Sequence, residues 1–176
     1  DFPPLPEPGG DAVVEVPAQA FVETVQRVAR SASRDETRPI LTGILVSASG
    51  QELRMVATDS YRLSVKETPL DSALAGSFEA NVPARALQEL TRIVQQTEAD
   101  RLSVSVRTNQ VIFEAGGFVL SSRLIDGQFP NYRQLLPDAY EHQLPLGGTE
   151  ITEVVRRISL LAQKNAPLRL AFAEGE

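Results

Sequence analysis

The chain states one pattern twice. "EVPAQAFVET" at 15–24 returns in outline as "NVPARALQEL" at 81–90, with Val82 following Val16 by 66 residues. Each copy is an apolar residue, then Pro-Ala, then apolar positions at helical spacing. A weaker third version, "QLPLGGTEITEVV", begins at Gln143, with Leu144 62 residues beyond Val82. A period of this size marks a chain assembled from supersecondary units, none of which buries its apolar face alone. Any fold for this sequence must bring the copies together.

The unit reads as strand, helix, three strands. In the first copy "AVVEV" (Ala12–Val16) is β-branched and weakly alternating, a strand signal. Pro17 suits the first helical position, where its missing N–H is not needed. Ala18, Phe21, Val22, Val25, Val28 and Ala29 then form one apolar stripe, opposite Gln19, Glu23, Gln26, Arg27 and Arg30. Pro39 closes a polar connection, and strands are predicted at Ile40–Ala48, Glu52–Thr58 and Tyr61–Glu67. The second copy has "SFEANV", a helix opened by Pro83 with Leu87, Leu90, Ile93 and Val94 on one side, then "RLSVSVR", "QVIFEA" and "FVLSSRLI". The third has "HQLPL", a helix from Thr149 (the N-cap candidate) to Gln163, and one strand, "PLRLAFA". Two complete units, about Asp11–Glu67 and Ser77–Ile125, and one cut short define an α+β chain whose units pack pairwise into a core.

Bulk properties narrow the classes. No stretch approaches the ~20 apolar residues that span a bilayer. "DFPPLPEPGG" lacks the basic and apolar regions of a signal peptide and reads as a linker; the absent initiator Met points to an excised piece. Zero Cys excludes disulfides and thiolate metal sites and fits a reducing cytoplasm. The net charge of −6 argues against a surface coated in basic groups, but not against a local basic patch.

Such a patch has a candidate. The three helices and the turn after the first hold Arg27, Arg30, Arg34, Arg85, Arg92, Arg156, Arg157 and Lys164, eight of the chain's 17 basic residues. One reading is a merely solvated polar face, since Glu23, Glu89, Glu150 and Glu153 share these helices. The other is repeated, weakly positive helices facing a polyanion, whose phosphates carry no sequence information. Catalysis finds little support. Asp59, Ser60 and Tyr61 are consecutive and diverge in a strand or tight turn, and the single His142 has no evident Ser or carboxylate partner. No metal-ligand spacing is evident, and Gly147–Thr149 lacks the lysine and glycine spacing of a phosphate loop.

"RPILTGILV", "MVATDSYRLSV" and above all "SSRLIDGQFPNYRQLLP", in this order and around this repeat, resemble the bacterial DNA polymerase III β sliding clamp family. The resemblance covers essentially the whole chain. It implies the DNA clamp fold, two strand–helix–three-strand repeats packed as a pseudo-symmetric domain with helices on one side, plus a truncated third repeat. It places 1–10 at the end of a first domain, 11–137 as the second domain and 138–176 as the opening of a third. The implied function is that of a non-catalytic, cofactor-free processivity factor: a homodimeric cytoplasmic ring encircling duplex DNA, with the eight basic residues above facing it. The implied partners are the DNA polymerase III catalytic subunit, the clamp loader and other proteins carrying the clamp motif, with no membrane. They would be held by a peptide pocket on Arg38, Leu41, Thr58, Ser60, Tyr61, Arg62, Leu63, Pro130, Gln134 and Leu135. Exposed apolar surface on Leu41, Leu63 and Leu135 is then expected. The rival is a repeat-built protein–protein interaction module without a DNA role.

Overall fold

A computed structural model describes residues 13–162 and 166–172. The predicted linker at 1–10 and Lys164 lie outside the described residues. The chain divides between Tyr132 and Arg133 into two compact units.

In the larger unit the repeat is interlocked. The first copy supplies β1 (Val13–Pro17), α1 (Ala18–Val28), β2 (Gly43–Ser49), β3 (Glu52–Thr58) and β4 (Leu63–Pro69). The second supplies β5 (Phe78–Pro83), α2 (Ala84–Thr97), β6 (Arg101–Val106), β7 (Gln110–Ala115) and β8 (Phe118–Arg123). Two four-stranded antiparallel sheets result, in the orders β1-β6-β7-β8 and β4-β3-β2-β5. Each copy therefore lends its leading strand to the other copy's sheet: Val16 pairs with Leu102, and Val82 with Ile44. The two sheets correspond strand for strand, so the halves are equivalent as the repeat predicts.

The alternation of each strand decides what it buries. Val14, Val16, Leu102, Val104, Val111 and Phe113 from one sheet, and Ile44, Val46, Leu53, Met55 and Val82 from the other, join a single core. The stripes of α1 and α2 complete it, including Phe21, Val25, Leu87 and Leu90. Phe21 of the first copy meets Phe113 of the second edge to face, with ring centroids 5.9 Å apart. The helices lie against each other and against strands of both sheets. Along one flank the packing is polar: Thr24 and Ser31 share hydroxyl hydrogen bonds of 2.7 Å with Thr68 and Ser64 of β4.

Several boundaries differ from expectation. Pro17 and Pro83 end strands β1 and β5 in extended geometry and cap the helices from outside, instead of occupying the first helical position. The strand predicted from Ile40 begins at Gly43, because Pro39–Thr42 forms a 3-10 turn closed by a hydrogen bond from Thr42 Oγ1 to the Pro39 carbonyl. Strand β4 begins at Leu63, leaving Tyr61 and Arg62 in the preceding turn.

In the smaller unit, α3 (Gly148–Ser159) starts after Gly147, so Thr149 is helical and not the cap, and the helix stops short of Gln163. Residues 142–146 and 167–172 are not strands; Ala173 lies outside the described residues. A strand needs a laddered neighbour, and among the described residues this unit offers none. No residue of α3 is buried, and Val154 and Ile158 of its apolar stripe are 41% and 48% exposed.

Candidate functional site

The two copies share a frame but not their loops. Between α1 and β2 the first copy inserts residues 29–42, where the second has only 98–100; between its last two strands it has 59–62, where the second has Gly116 and Gly117. Seven predicted pocket residues, Arg38, Leu41, Thr58, Ser60, Tyr61, Arg62 and Leu63, sit on these longer loops or at their junctions.

Hydrogen bonds fix the 59–62 turn. Thr58 Oγ1 donates to the Arg62 carbonyl (2.8 Å) and accepts from the Ser60 N–H (3.2 Å). Asp59 Oδ1 accepts from the N–H groups of Tyr61 and Arg62, both at 3.0 Å, while Oδ2 receives Arg62 Nε at 3.0 Å. Ser60 is held at φ +77°, a left-handed backbone that glycine adopts without strain. The insertion docks onto this turn: Arg38 Nη1 donates to Ser60 Oγ (3.1 Å) while its Nε pairs with Asp35 (2.9 Å). Burial pushes the Asp59 carboxyl up, but the hydrogen bonds from Tyr61 and Arg62 outweigh it and hold the group below its ordinary range. Asp35 is lowered as well, first by Thr37 through its hydroxyl and N–H, then by Arg38.

Behind these loops, the outer face of β3 carries one apolar residue, Val56, among Glu52, Arg54 and Thr58. Val56 points away from the core formed by Leu53, Met55 and Ala57, yet is only 1% exposed. It pairs with Leu45 of β2 and Val65 of β4, and Leu63 pairs with the buried Thr58. Leu41 is 7% exposed, contrary to the open surface expected of it, because the 3-10 turn tucks it inward; Leu63 is half-buried as expected. Tyr132 is buried outside the main core and receives a hydrogen bond from Arg54, whose guanidinium also reaches Glu52 (2.7 Å) and Glu67 (2.9 Å). The Glu67 contact is an ion pair off the hydrogen-bond line, so Arg54 Nε lacks a hydrogen-bonded partner.

Pro130 is exposed and accepts the Tyr132 N–H through its carbonyl at 2.8 Å. Asn81 of β5, 7% exposed, ties the remaining segments together. Its Nδ2 donates to the Ile40 carbonyl (3.0 Å), and its backbone carbonyl accepts the Ile125 N–H (2.9 Å). Gly43 faces the Asn81 side chain, where a Cβ would collide, and Gly127 (φ +107°) leaves room for Ile40. Sequence reasoning missed Asn81, Val56 and Tyr132; the position 66 residues before Asn81 holds the exposed Glu15, an asymmetry visible in the aligned repeats. Gln134 and Leu135 belong to the smaller unit, on the 3-10 turn Tyr132–Leu135, and Leu135 is 67% exposed.

Of the helix arginines in the larger unit, Arg27, Arg30, Arg34, Arg85 and Arg92 are all exposed. Arg30, with Gln26, borders the seam where α1 meets Gln88 and Thr91 of α2, so the polar faces of the helices adjoin. Arg27 lies on the flank of α1 toward β4. Arg92 pairs with Glu89 at 3.1 Å. In the smaller unit Arg156 and Arg157 are exposed on α3, with Arg157 3.6 Å from Glu153. Among the described residues no cluster of three or more His, Asp or Glu is placed to hold a metal, and no helix is long and apolar enough to cross a membrane.

This geometry has known counterparts. The family model for the central domain of the DNA polymerase III beta subunit matches residues 15–131. The chain is 36% identical to the beta sliding clamp of Synechocystis sp., over 94% of this chain and 46% of that protein. It is 34% identical to the beta sliding clamp of Micrococcus luteus, over 100% of this chain and 57% of that protein. The DNA polymerase sliding clamp of Bacillus subtilis superposes with a TM-score of 0.83 at 28% identity, covering 94% of this chain and 43% of that one. The chain thus spans about half the length of the curated relatives it matches. The interlocked repeat, its matched sheets and these likenesses together establish that the chain belongs to the DNA polymerase III beta subunit family.

Proposed function

We propose that the protein containing this chain is the processivity factor of bacterial DNA replication. In this reading it is a cytoplasmic homodimeric ring that encircles duplex DNA and tethers the DNA polymerase III catalytic subunit, the clamp loader and other proteins carrying the clamp motif. Residues 11–137 serve as its second domain and 138–176 open the third. The observation that carries this reading is the side-by-side packing of α1 and α2 in an interlocked two-copy domain, with Arg27, Arg85 and Arg92 exposed. Sparse arginines mixed with Glu and Gln suit sliding, because they attract phosphate without creating deep local minima. Arg156 and Arg157 extend the same role to the third domain.

Peptide capture falls to the loops of the first copy. Leu63, Pro130 and the largely buried Leu41 offer apolar groups, and Arg38, Thr58 and Arg62 offer polar ones; Gln134 and Leu135 of the smaller unit are assigned to the same function. Burying one leucine-sized anchor contributes about 1.5–3 kcal/mol. Two experiments on the full-length protein test the reading. Replacing Arg27, Arg85 and Arg92 with Ala should shorten retention on circular duplex DNA, more at low salt than at high salt. Undiminished retention would remove the DNA role and leave the interaction-module reading. Leu135→Asp should abolish binding of a synthetic clamp-recognition peptide with little change in the melting temperature, given the exposure of Leu135; normal peptide binding would move the pocket elsewhere.

A further inference from the structure

The 29–42 insertion and the 59–62 turn border an open cleft of about 450 Å3. Arg30, Arg34, Arg38 and Arg62 border it, opposed by two carboxylates. Both carboxylates are already committed, Asp35 to Arg38 at 2.9 Å and Asp59 to Arg62 at 3.0 Å. Among the described residues neither Arg30 nor Arg34 has a carboxylate within ion-pair distance. The cleft is therefore locally positive in a chain whose net charge is −6. The second copy has no counterpart, since its connections at 98–100 and 116–117 are too short to enclose one.

Arg30 and Arg34 thus share a concavity with the two arginines of the capture loops, instead of standing apart on a helix face. We propose that this cleft is a carboxylate-binding subsite, in which Arg30 and Arg34 receive acidic side chains flanking the apolar anchors of a captured peptide; this rests on the capture reading above. The chemistry favours an isolated carboxylate over a nucleic-acid backbone. A guanidinium takes a carboxylate through two parallel N–H donors. Asp35 and Asp59 also line the cleft and would repel a closely spaced row of phosphates more strongly than one or two carboxylate side chains.

The test uses the full-length protein and a synthetic clamp-recognition peptide extended at either end by Asp-Asp-Asp or by Ser-Ser-Ser, with affinities read by fluorescence anisotropy. At ~0.05 M salt one acidic version should bind about three- to tenfold tighter than its serine counterpart, as expected for two solvent-facing ion pairs, and the preference should fade toward unity near 1 M salt. The Arg30→Ser/Arg34→Ser variant should lose the preference while binding the serine versions within about twofold of the parent. Equal binding of acidic and serine versions to the parent protein, or a preference that survives in the variant, overturns the proposal. A variant that keeps the preference but releases duplex DNA faster assigns the cleft to phosphate instead. If no version binds the parent protein, the capture reading falls, and this inference with it.

Discussion

The two copies of the repeat run the same course through space and end with different surfaces. Helix α1 passes into a 3-10 turn (Ala29–Ser31) and then a long insertion; α2 stops at Glu98, which reverses the chain at φ +50° so that β6 starts at Arg101. The first copy joins its last strands through the hydrogen-bonded Asp59–Arg62 turn, the second through two glycines at φ +55° and +81°. The shared elements bury most of the core, and the inserted ones, largely exposed apart from Ala29, Ser31 and Leu41, carry most of the candidate site. A duplicated frame can thus hold its shape in both halves while one half takes on the chemistry, because connections outside the core are free to lengthen.

The sharpest way to break the comparison is to strike the core the copies share. Phe21→Ala or Phe113→Ala should each lower stability by about 3–5 kcal/mol. The double variant should reveal a coupling of about 0.5–1.5 kcal/mol across the edge-to-face pair. Urea unfolding of the larger unit should remain one transition by fluorescence and circular dichroism alike; separate melting of the halves would show the copies to be independent. Next comes Asn81→Ala, which leaves the Ile40 carbonyl without its donor and should cost about 1–2 kcal/mol. Hydrogen exchange in that variant should speed up in the 38–42 turn and not in the equivalent connection of the second copy.

Smaller effects separate the two left-handed residues. Glu98→Gly should stabilise by about 0.5–1 kcal/mol, since glycine relieves the backbone penalty and Glu98 caps α2 without another evident role. Ser60→Gly should gain less in chemical denaturation, because it also removes the acceptor for Arg38. The smallest effect is the pH response of the first copy. Asp59 and Asp35 have folded-state pKa values below the ordinary carboxylate value of about 3.9. Their contribution is therefore full above that value and lost as pH falls through the folded-state pKa. Asp59→Asn should flatten acid unfolding below about pH 4; the corresponding turn of the second copy, Gly116–Gly117, has no carboxylate to contribute.

The sequence made the repeat and both helices of the larger unit legible, and strands β3 and β7 legible to the residue, because each carries a strong period of its own. It did not reveal the exchange of β1 and β5, since pairing partners far apart in sequence leave no local mark on either strand. The Pro39–Thr42 turn was hidden by its apolar Ile40 and Leu41, which extend the following strand pattern without a break. Tyr132 reads as a loop residue until Arg54 supplies its partner. Of the site, the polar turn at 58–62 was readable as a cluster, while Asn81 looked like an ordinary strand residue whose partners come from two other segments.

The exchange of leading strands also dictates an order of events during synthesis. Within the larger unit strand β1 is made before the others, yet its ladder partner β6 lies at 101–106, so residues 13–17 must wait while β2, β3 and β4 zip locally through short turns. The sheet β4-β3-β2-β5 can close once Pro83 has emerged, but the other sheet needs nearly the whole larger unit. Pulse-labelled hydrogen exchange during refolding should therefore find the amides of β1 among the last protected. Until then the nascent unit carries an unclaimed strand, open to β6 of a neighbouring chain emerging at the same time.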